Sequence, residues 1–410
     1  MQGAAVAAIT ASIGTNAKAD DRPKVGDAEL RRIADQPVLK LDALTSPVTI
    51  ASIELLRNDR TFMLRTRSTD GVEAITVPNS GRMTNVYPLL VNQIIPVFVN
   101  QDARKLESLL WDCYRHRDNY KYQGMALWIG TMAVETALLE LMGLTAKRPV
   151  ADFFGGRLRD EVPIYVASGS RDTTPQAEVE KLQKLVADSG ARALKFRVGG
   201  RMSRNADASP GRTEALIPMV RKAFGDKFTL YADSNSSYDV PEAIRVGRIM
   251  QEHKYDFYEE PVEFDDLWGT KAVADALDMP VAMGEQEFSE HRFRWCVEHR
   301  AADIMQPDLH YYGGFIRSTR VARMAAAAGM TVVPHMSGGS LGYLDVTHFC
   351  SWTSNAGPFM EFKGNAEIPV SCDTSSLKAT NGAVKVPTGP GFGVKLDPEF
   401  VAKAKVVTTT

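Results

Sequence analysis

Cysteine is scarce and scattered. Cys113, Cys296, Cys350 and Cys372 are the only four in 410 residues, and no two form a CxxC pair. That argues against a disulfide framework and a zinc ribbon, and leaves isolated reduced thiols in or near the core. Charge of one sign is also lacking. Lys plus Arg number 48 against 50 Asp plus Glu, a net charge of −2. No electrostatic case exists for nucleic acid or an acidic membrane surface as partner. No run reads as a transmembrane segment, and no short-period repeat is present. Histidine is rare, seven in all, so each one near a charged motif carries information.

The N-terminus lacks positive charge as well. Residues 3–13 are small and apolar, and Ala17-Lys-Ala19 precedes Asp20-Asp21. This resembles the apolar region and cleavage site of an export signal, without its basic start and too short to span a membrane. Residues 1–46 are expected to be a disordered tail or a remnant export signal. The chain is accordingly expected in the cytoplasm or, if the signal is real, the periplasm.

What the chain has is two kinds of pattern, and its length suits two domains. From Val48 to about Val77 the residues alternate like a three-stranded meander, with turns at Asn58-Asp-Arg60 and Asp70-Gly71. From Leu89 a helical pattern follows, with Gly143 as its stop. Segregated strands and helices predict an α+β domain over residues 47–160. Pro149 and Gly155-Gly156 mark a boundary. Strand–helix alternation then begins. Candidate strands end near Ser168, Arg197, Asp233, Glu259, Glu285, Pro307, Pro334 and Phe362, with helical stretches such as 177–189, 241–253 and 316–328 between them. Eight strands with crossovers predict an α/β fold, a (β/α)8 TIM-type barrel over residues 161–375. Residues 206–212 read as a loop insertion after the second strand. The turn-rich segment 376–410 is expected to return to the first domain, which caps the barrel.

Asp233, Glu259 and Glu285 are separated by 26 residues at each step. That is roughly one strand, one helix and two loops. Each closes a β-rich run, so the three converge at the C-terminal strand ends. Three carboxylates cannot share a small space without a cation. Their all-oxygen donor set suits a hard ion, Mg2+ rather than zinc. Glu260 is the rival of Glu259, but alternation along a strand lets only one point inward. The other strand ends are Ser168 and Ser170, Lys195 and Arg197, Asn235, Asp308, His335 and Glu361.

Lys195-Phe-Arg197, Ala232-Asp-Ser-Asn235, Glu259-Glu-Pro261, Gly284-Glu285, Gln306-Pro-Asp308 and Val333-Pro-His335 occur in that order. With Pro149-Val-Ala-Asp-Phe-Phe-Gly-Gly156 and Val386-Pro-Thr-Gly-Pro-Gly-Phe-Gly393, they make the chain resemble the enolase superfamily, and within it the mandelate racemase-like group. The resemblance spans roughly residues 47–400. It implies a capping domain over a barrel, Mg2+ on Asp233, Glu259 and Glu285, and removal of a proton α to a carboxylate. It implies that Asp308 and His335 form an acid/base dyad. At Glu361 it implies a contact to the developing enediolate, donated if the carboxyl is protonated.

Many relatives carry Lys-x-Lys where this chain has Lys195-Phe-Arg197. Arginine stays protonated and is a poor base but a good carboxylate clamp. Lys195 either neutralises the substrate carboxylate or acts as base from a shifted position. A racemase needs a base on each face; dehydration of a 2,3-dihydroxy acid manages with one. His335 takes the α-proton, donates to the leaving 3-hydroxyl, or does both in turn. Asn235 is expected to support the metal shell or the substrate carboxylate. Ser168, Arg82, Asn85 and Tyr87 are candidate substrate contacts, and His310, Tyr311 and Tyr312 add donors near the mouth. That polarity leans toward a sugar acid, and hence a lyase giving a 2-keto-3-deoxy acid. The alternatives are a racemase or epimerase, a non-catalytic sugar-acid-binding barrel and, with least motive, a cycloisomerase. A homo-oligomer, dimer to octamer, is implied by resemblance alone.

Overall fold

The computed structural model describes residues 23–408. The signal-like stretch, residues 3–21, lies outside the described residues. The rest of the expected tail is not a tail. Asp27–Ala34 is a helix whose Leu30 and Ala34 are buried in the main core, and Arg294 pairs with Asp27. Its apolar residues recur at helical spacing, which a reading of the first residues as tail overlooked.

The meander is present as β1 (Ile50–Asn58), β2 (Thr61–Ser68) and β3 (Glu73–Thr76). Asn58 pairs with Thr61 across the tight turn, where Asp59 takes a left-handed φ of 51°. Strand Lys405–Val406 adds to the other edge of β1. The terminal segment is split among three sheets: strand Ala383–Lys385 runs antiparallel to the first half of β4 (Glu161–Ala167), and Lys395–Leu396 pairs with Val370–Ser371.

Helix Met125–Ala146 lies at the centre of the first part. By length and composition it passes as a membrane span, and it is buried within the fold. Gly143 does not stop it; the helix runs on to Lys147, which caps it in a left-handed conformation. Gly143 is there because another chain segment passes. A Cβ on it would stand 2.6 Å from Gly391 Cα and 2.8 Å from Gly391 N. Gly143→Ala should therefore destabilise the fold by about 1–3 kcal/mol despite alanine's better helix propensity. A rise in melting temperature would contradict that packing.

The second part is a parallel run. After β4 come β5 (Ala193–Arg197), β6 (Thr229–Asp233), β7 (Phe257–Glu259), β8 (Val281–Met283), β9 (Ile304–Met305), β10 (Thr331–Val332) and β11 (Met360–Phe362). Each strand from β4 to β10 pairs with the next, and β11 pairs back onto β4. Val332 bridges Ala356, just ahead of β11. Helices Pro175–Ser189, Val240–Glu252 and Phe315–Ala327 lie among the crossovers, so the architecture is mixed α/β. One face of the run carries an apolar layer of its own: Tyr165, Ala193, Tyr231, Phe257, Ala282, Ile304 and Val333. Side chains alternate along a strand, so within β4 to β7 the residues two positions further on share that face: Ala167, Lys195, Asp233 and Glu259. Register sets Arg197 beside Asp233 and Asp233 beside Glu259. Lys195, Asp233 and Glu259 thus sit directly above the apolar layer.

Candidate active site

Asp233, Glu259 and Glu285 are all buried, and each offers an oxygen within 4.8 Å of those of the other two. Gly284 sets up the last of these. Its φ is +124°, and a Cβ would meet the Phe293 ring at 2.8 Å, so glycine lets the chain turn there. The carboxylates are balanced by two buried cations. Lys195 Nζ donates to both oxygens of Glu259 at 2.7 Å and lies 3.0 Å from Glu361. Arg197 pairs with Asp233. Burial works to raise the Glu259 pKa, and Lys195 brings it below the ordinary value. Gln306 Nε2 donates a further bond to Glu259 at 2.9 Å.

The donor set fits a hard divalent cation: three buried carboxylates, no sulfur or imidazole among them, on strand ends that fix their direction. Added Mg2+ is expected to raise the unfolding free energy, by about 2.7 kcal/mol at 100 times Kd. Thermal melts with and without Mg2+ check this, and equal melting temperatures would count against the site.

His335 stands beside the triad. Asp308 Oδ2 lies 2.6 Å from its Nδ1, and Nε2 lies 3.2 Å from Glu285 Oε2. Asp308 is itself fixed, accepting from His310 N at 2.8 Å, Tyr311 N at 2.9 Å and Ser337 Oγ at 2.9 Å. Burial would raise its pKa, but the His335 bond and charge lower it. An ionised Asp308 selects the tautomer with the proton on Nδ1 and leaves the Nε2 lone pair outward. Lys363 Nζ reaches Nε2 at 3.1 Å and Glu361 at 3.1 Å.

Glu361 does not meet the condition for donating. Burial favours the neutral form, but Lys195, then Lys363 and His335, carry its pKa well below the ordinary range. It accepts from Met336 N at 2.8 Å. Glu260 also departs from expectation. The strand ends at Glu259, and Glu260 adopts a left-handed φ of 43°, so alternation no longer governs it. Its side chain is buried; burial, then Glu285 and Glu259, push its pKa well above the ordinary value.

Asn235 ties the metal side to the loops. Its backbone N donates to Asp233 Oδ1 at 2.7 Å and its Nδ2 to Asp233 Oδ2 at 3.0 Å. Its Oδ1 accepts from Arg171 at 2.9 Å and Arg201 at 3.2 Å. Ser168 is buried; its Oγ accepts from Ser170 N and its own N donates to Lys195 O. Arg82 bonds Tyr311 Oη at 3.3 Å, and the Tyr311 ring centroid is 6.1 Å from that of His335. The first part of the chain also reaches Asp308: Asn79 donates to Ser337 Oγ at 3.3 Å, and Ser337 Oγ donates to Asp308. Tyr87 is not brought to the acids; it stacks on Phe62. Asn85 is exposed. His310 Nε2 faces Asp345 at 3.0 Å, and the Arg317 guanidinium covers the Tyr312 ring.

Lys363, Gln306, Ser337, Asn79, Arg171 and Arg201 were not among the sequence candidates. Lys363 alternates with Glu361, a signal that was available. Gln306 stood inside a quoted motif.

A family profile described as "Enolase C-terminal domain-like" matches residues 177–400. An arabinonate dehydratase of Saccharolobus solfataricus is 27% identical over 302 residues, covering 73% of this chain and 78% of the relative. A D-galactarolactone cycloisomerase of Agrobacterium fabrum is 27% identical, covering 75% and 82%. A crystal structure from Roseobacter denitrificans, provisionally described as a racemase, is 33% identical with a TM-score of 0.80, covering 87% of this chain and 98% of its own. A mandelate racemase/muconate lactonizing protein of Paracoccus denitrificans, complexed with magnesium, has a TM-score of 0.78 at 22% identity, covering 88% and 98%, and shares the fold.

Proposed function

We propose, on the premise that this chain belongs to the enolase C-terminal domain-like family, that it dehydrates sugar acids to 2-keto-3-deoxy acids with Mg2+. The eight-stranded parallel run is read as a closed barrel, with the 47–160 segment as its cap. The order β4 to β10, the return of β11 to β4 and the Val332–Ala356 bridge support that. Dehydratases among the relatives support the reaction class.

One observation carries the reading: the Nε2 of the Asp308-held imidazole lies 3.2 Å from Glu285, a member of the carboxylate triad. A substrate carboxylate held at the triad therefore presents its α-carbon to His335. Asp233, Glu259 and Glu285 would hold Mg2+, which supplies Lewis-acid stabilisation of charge on the substrate carboxylate. Lys195 and Arg197 add positive charge beside it. His335 Nε2 takes the α-proton, and the C–H electron pair passes into the enediolate. As the C3–O bond breaks, the same proton goes from His335 to the leaving hydroxyl, so water departs. The enol then takes a solvent proton at C3 and becomes the 2-keto acid.

Racemisation is the second reading, favoured by the provisional racemase at 33% identity. It needs a base opposite His335, and Lys195 is enclosed between Glu259 and Glu361. Screening aldonic and aldaric acids for 2-keto product tests the proposal. Recovery of epimerised acid with no keto product would favour racemisation instead.

A further inference from the structure

The site holds two arginines that its acids do not use. Arg171 donates from Nε to Gly199 O at 3.1 Å and from Nη2 to Asn235 Oδ1 at 2.9 Å. Arg201 Nη2 donates to the same Asn235 oxygen at 3.2 Å. Two full positive charges thus converge on one neutral amide, and neither guanidinium hydrogen-bonds a carboxylate among the described residues. The other arginines nearby are engaged: Arg197 with Asp233, and Arg212 with the carbonyls of Thr173 and Arg197 and with Glu178 at 3.9 Å.

The cost of this arrangement is visible. Burial, and then the like charges of Arg197, Arg201 and Arg212, lower the Arg171 pKa to about 9. An anion between Arg171 and Arg201 would remove that penalty and accept paired N–H bonds, which suit a carboxylate. The backbone around them is held in place. Gly199, Arg201 and Met202 have φ of +62°, +61° and +50°, and Asn235 and Ser236 have +42° and +60°. Met202 N donates to Asn235 O at 3.0 Å, and Arg201 N to Ser237 Oγ at 2.9 Å. Several left-handed non-glycine residues in two loops stitched together are what one finds where strain supports a ligand site. The site also faces the metal side: the amide whose oxygen receives both arginines gives its nitrogen to Asp233.

We propose that Arg171 and Arg201 form a subsite for a second anionic group, the distal carboxylate of an aldaric acid, so that the chain takes dicarboxylic sugar acids in preference to monocarboxylic ones. This rests on the dehydratase reading for the position of the first carboxylate, at the Asp233–Glu259–Glu285 end. A terminal phosphate would satisfy the same guanidiniums, so the probes must separate the two.

The experiment uses the full chain with Mg2+ and matched acids: galactaric with galactonic, glucaric with gluconic, and gluconic acid carrying a terminal phosphate. kcat/KM is measured for wild type, Arg201→Met and Arg171→Met, and binding of the same acids to His335→Asn is measured by calorimetry, with and without Arg201→Met. The expected result is a diacid preference of tenfold or more, reduced at least tenfold in either variant, mainly through KM. Arg201 is exposed, so its variant carries the test if Arg171→Met fails to fold. Equal use of diacids and monoacids, or a preference the variants do not move, overturns the subsite while leaving dehydration intact. Tighter binding of the phosphorylated acid than of the diacid overturns the carboxylate assignment. If no acid gives keto product but diacids bind in an arginine-dependent way, the subsite stands and the dehydratase reading falls.

Discussion

Replacing His335 with asparagine should lower kcat by about 10²–10⁴-fold, the contribution usual for a positioned acid/base group. The choice of asparagine matters. Its amide can still donate toward Asp308, so the buried carboxylate keeps a partner and the fold has no reason to fail. What disappears is the basic nitrogen that borders Glu285 and Lys363 at 3.2 and 3.1 Å. Mg2+ should still stabilise the variant, because none of the three proposed ligands is touched. Loss of both activity and Mg2+ stabilisation would point to a structural histidine. Activity within a few-fold of wild type would remove His335 from the mechanism.

The second large effect is expected at Lys195. Its ammonium is enclosed by Glu259 and Glu361, all three fully buried. Lys195→Met removes a charge that two buried carboxylates share, and breaking such a pair costs about 3–5 kcal/mol. Two conditions should shrink that loss. Mg2+ on the triad would restore positive charge beside Glu259, so the deficit should narrow when the ion is bound. Acid should narrow it too. Glu259 and Glu361 have pKa values lowered in the folded chain, so their contribution is present above the ordinary carboxylate range. It is lost as pH falls through the depressed folded values. In the variant those carboxyls protonate at higher pH and the penalty of burying them disappears sooner. Chemical denaturation across pH, with and without Mg2+, measures both trends. A deficit that neither changes would mean Lys195 acts by packing alone.

The acidic triad was legible because Asp233 and Glu259 close their strands, Glu285 follows β8 by two residues, and the strands recur at one β/α period. The same period placed His335 after Asp308. What sequence could not give lies where the chain leaves regular structure. Strand alternation does not settle Glu260, because the strand ends at Glu259 and Glu260 sits at a left-handed φ with its side chain buried. Arg171 and Arg201 come from two separate loops, and the positive φ values of the Arg201 loop are announced by no pattern. The ionisation of Glu361 depends on Lys363, and their meeting with His335 is a tertiary fact. Gly143 read as a helix stop because glycine often is one; here its meaning came from Gly391, far along the chain. Asp27–Ala34 was missed because it is a single short amphipathic helix behind an apolar, signal-like start, too short for periodicity to stand out.

The most direct measurement is turnover of an accepted sugar acid in D2O with Mg2+, with product position and label read by NMR. α-Proton removal followed by loss of the 3-hydroxyl predicts a 2-keto-3-deoxy acid carrying solvent deuterium at C3. Recovered acid with inverted configuration and deuterium at C2, and no keto product, would contradict it.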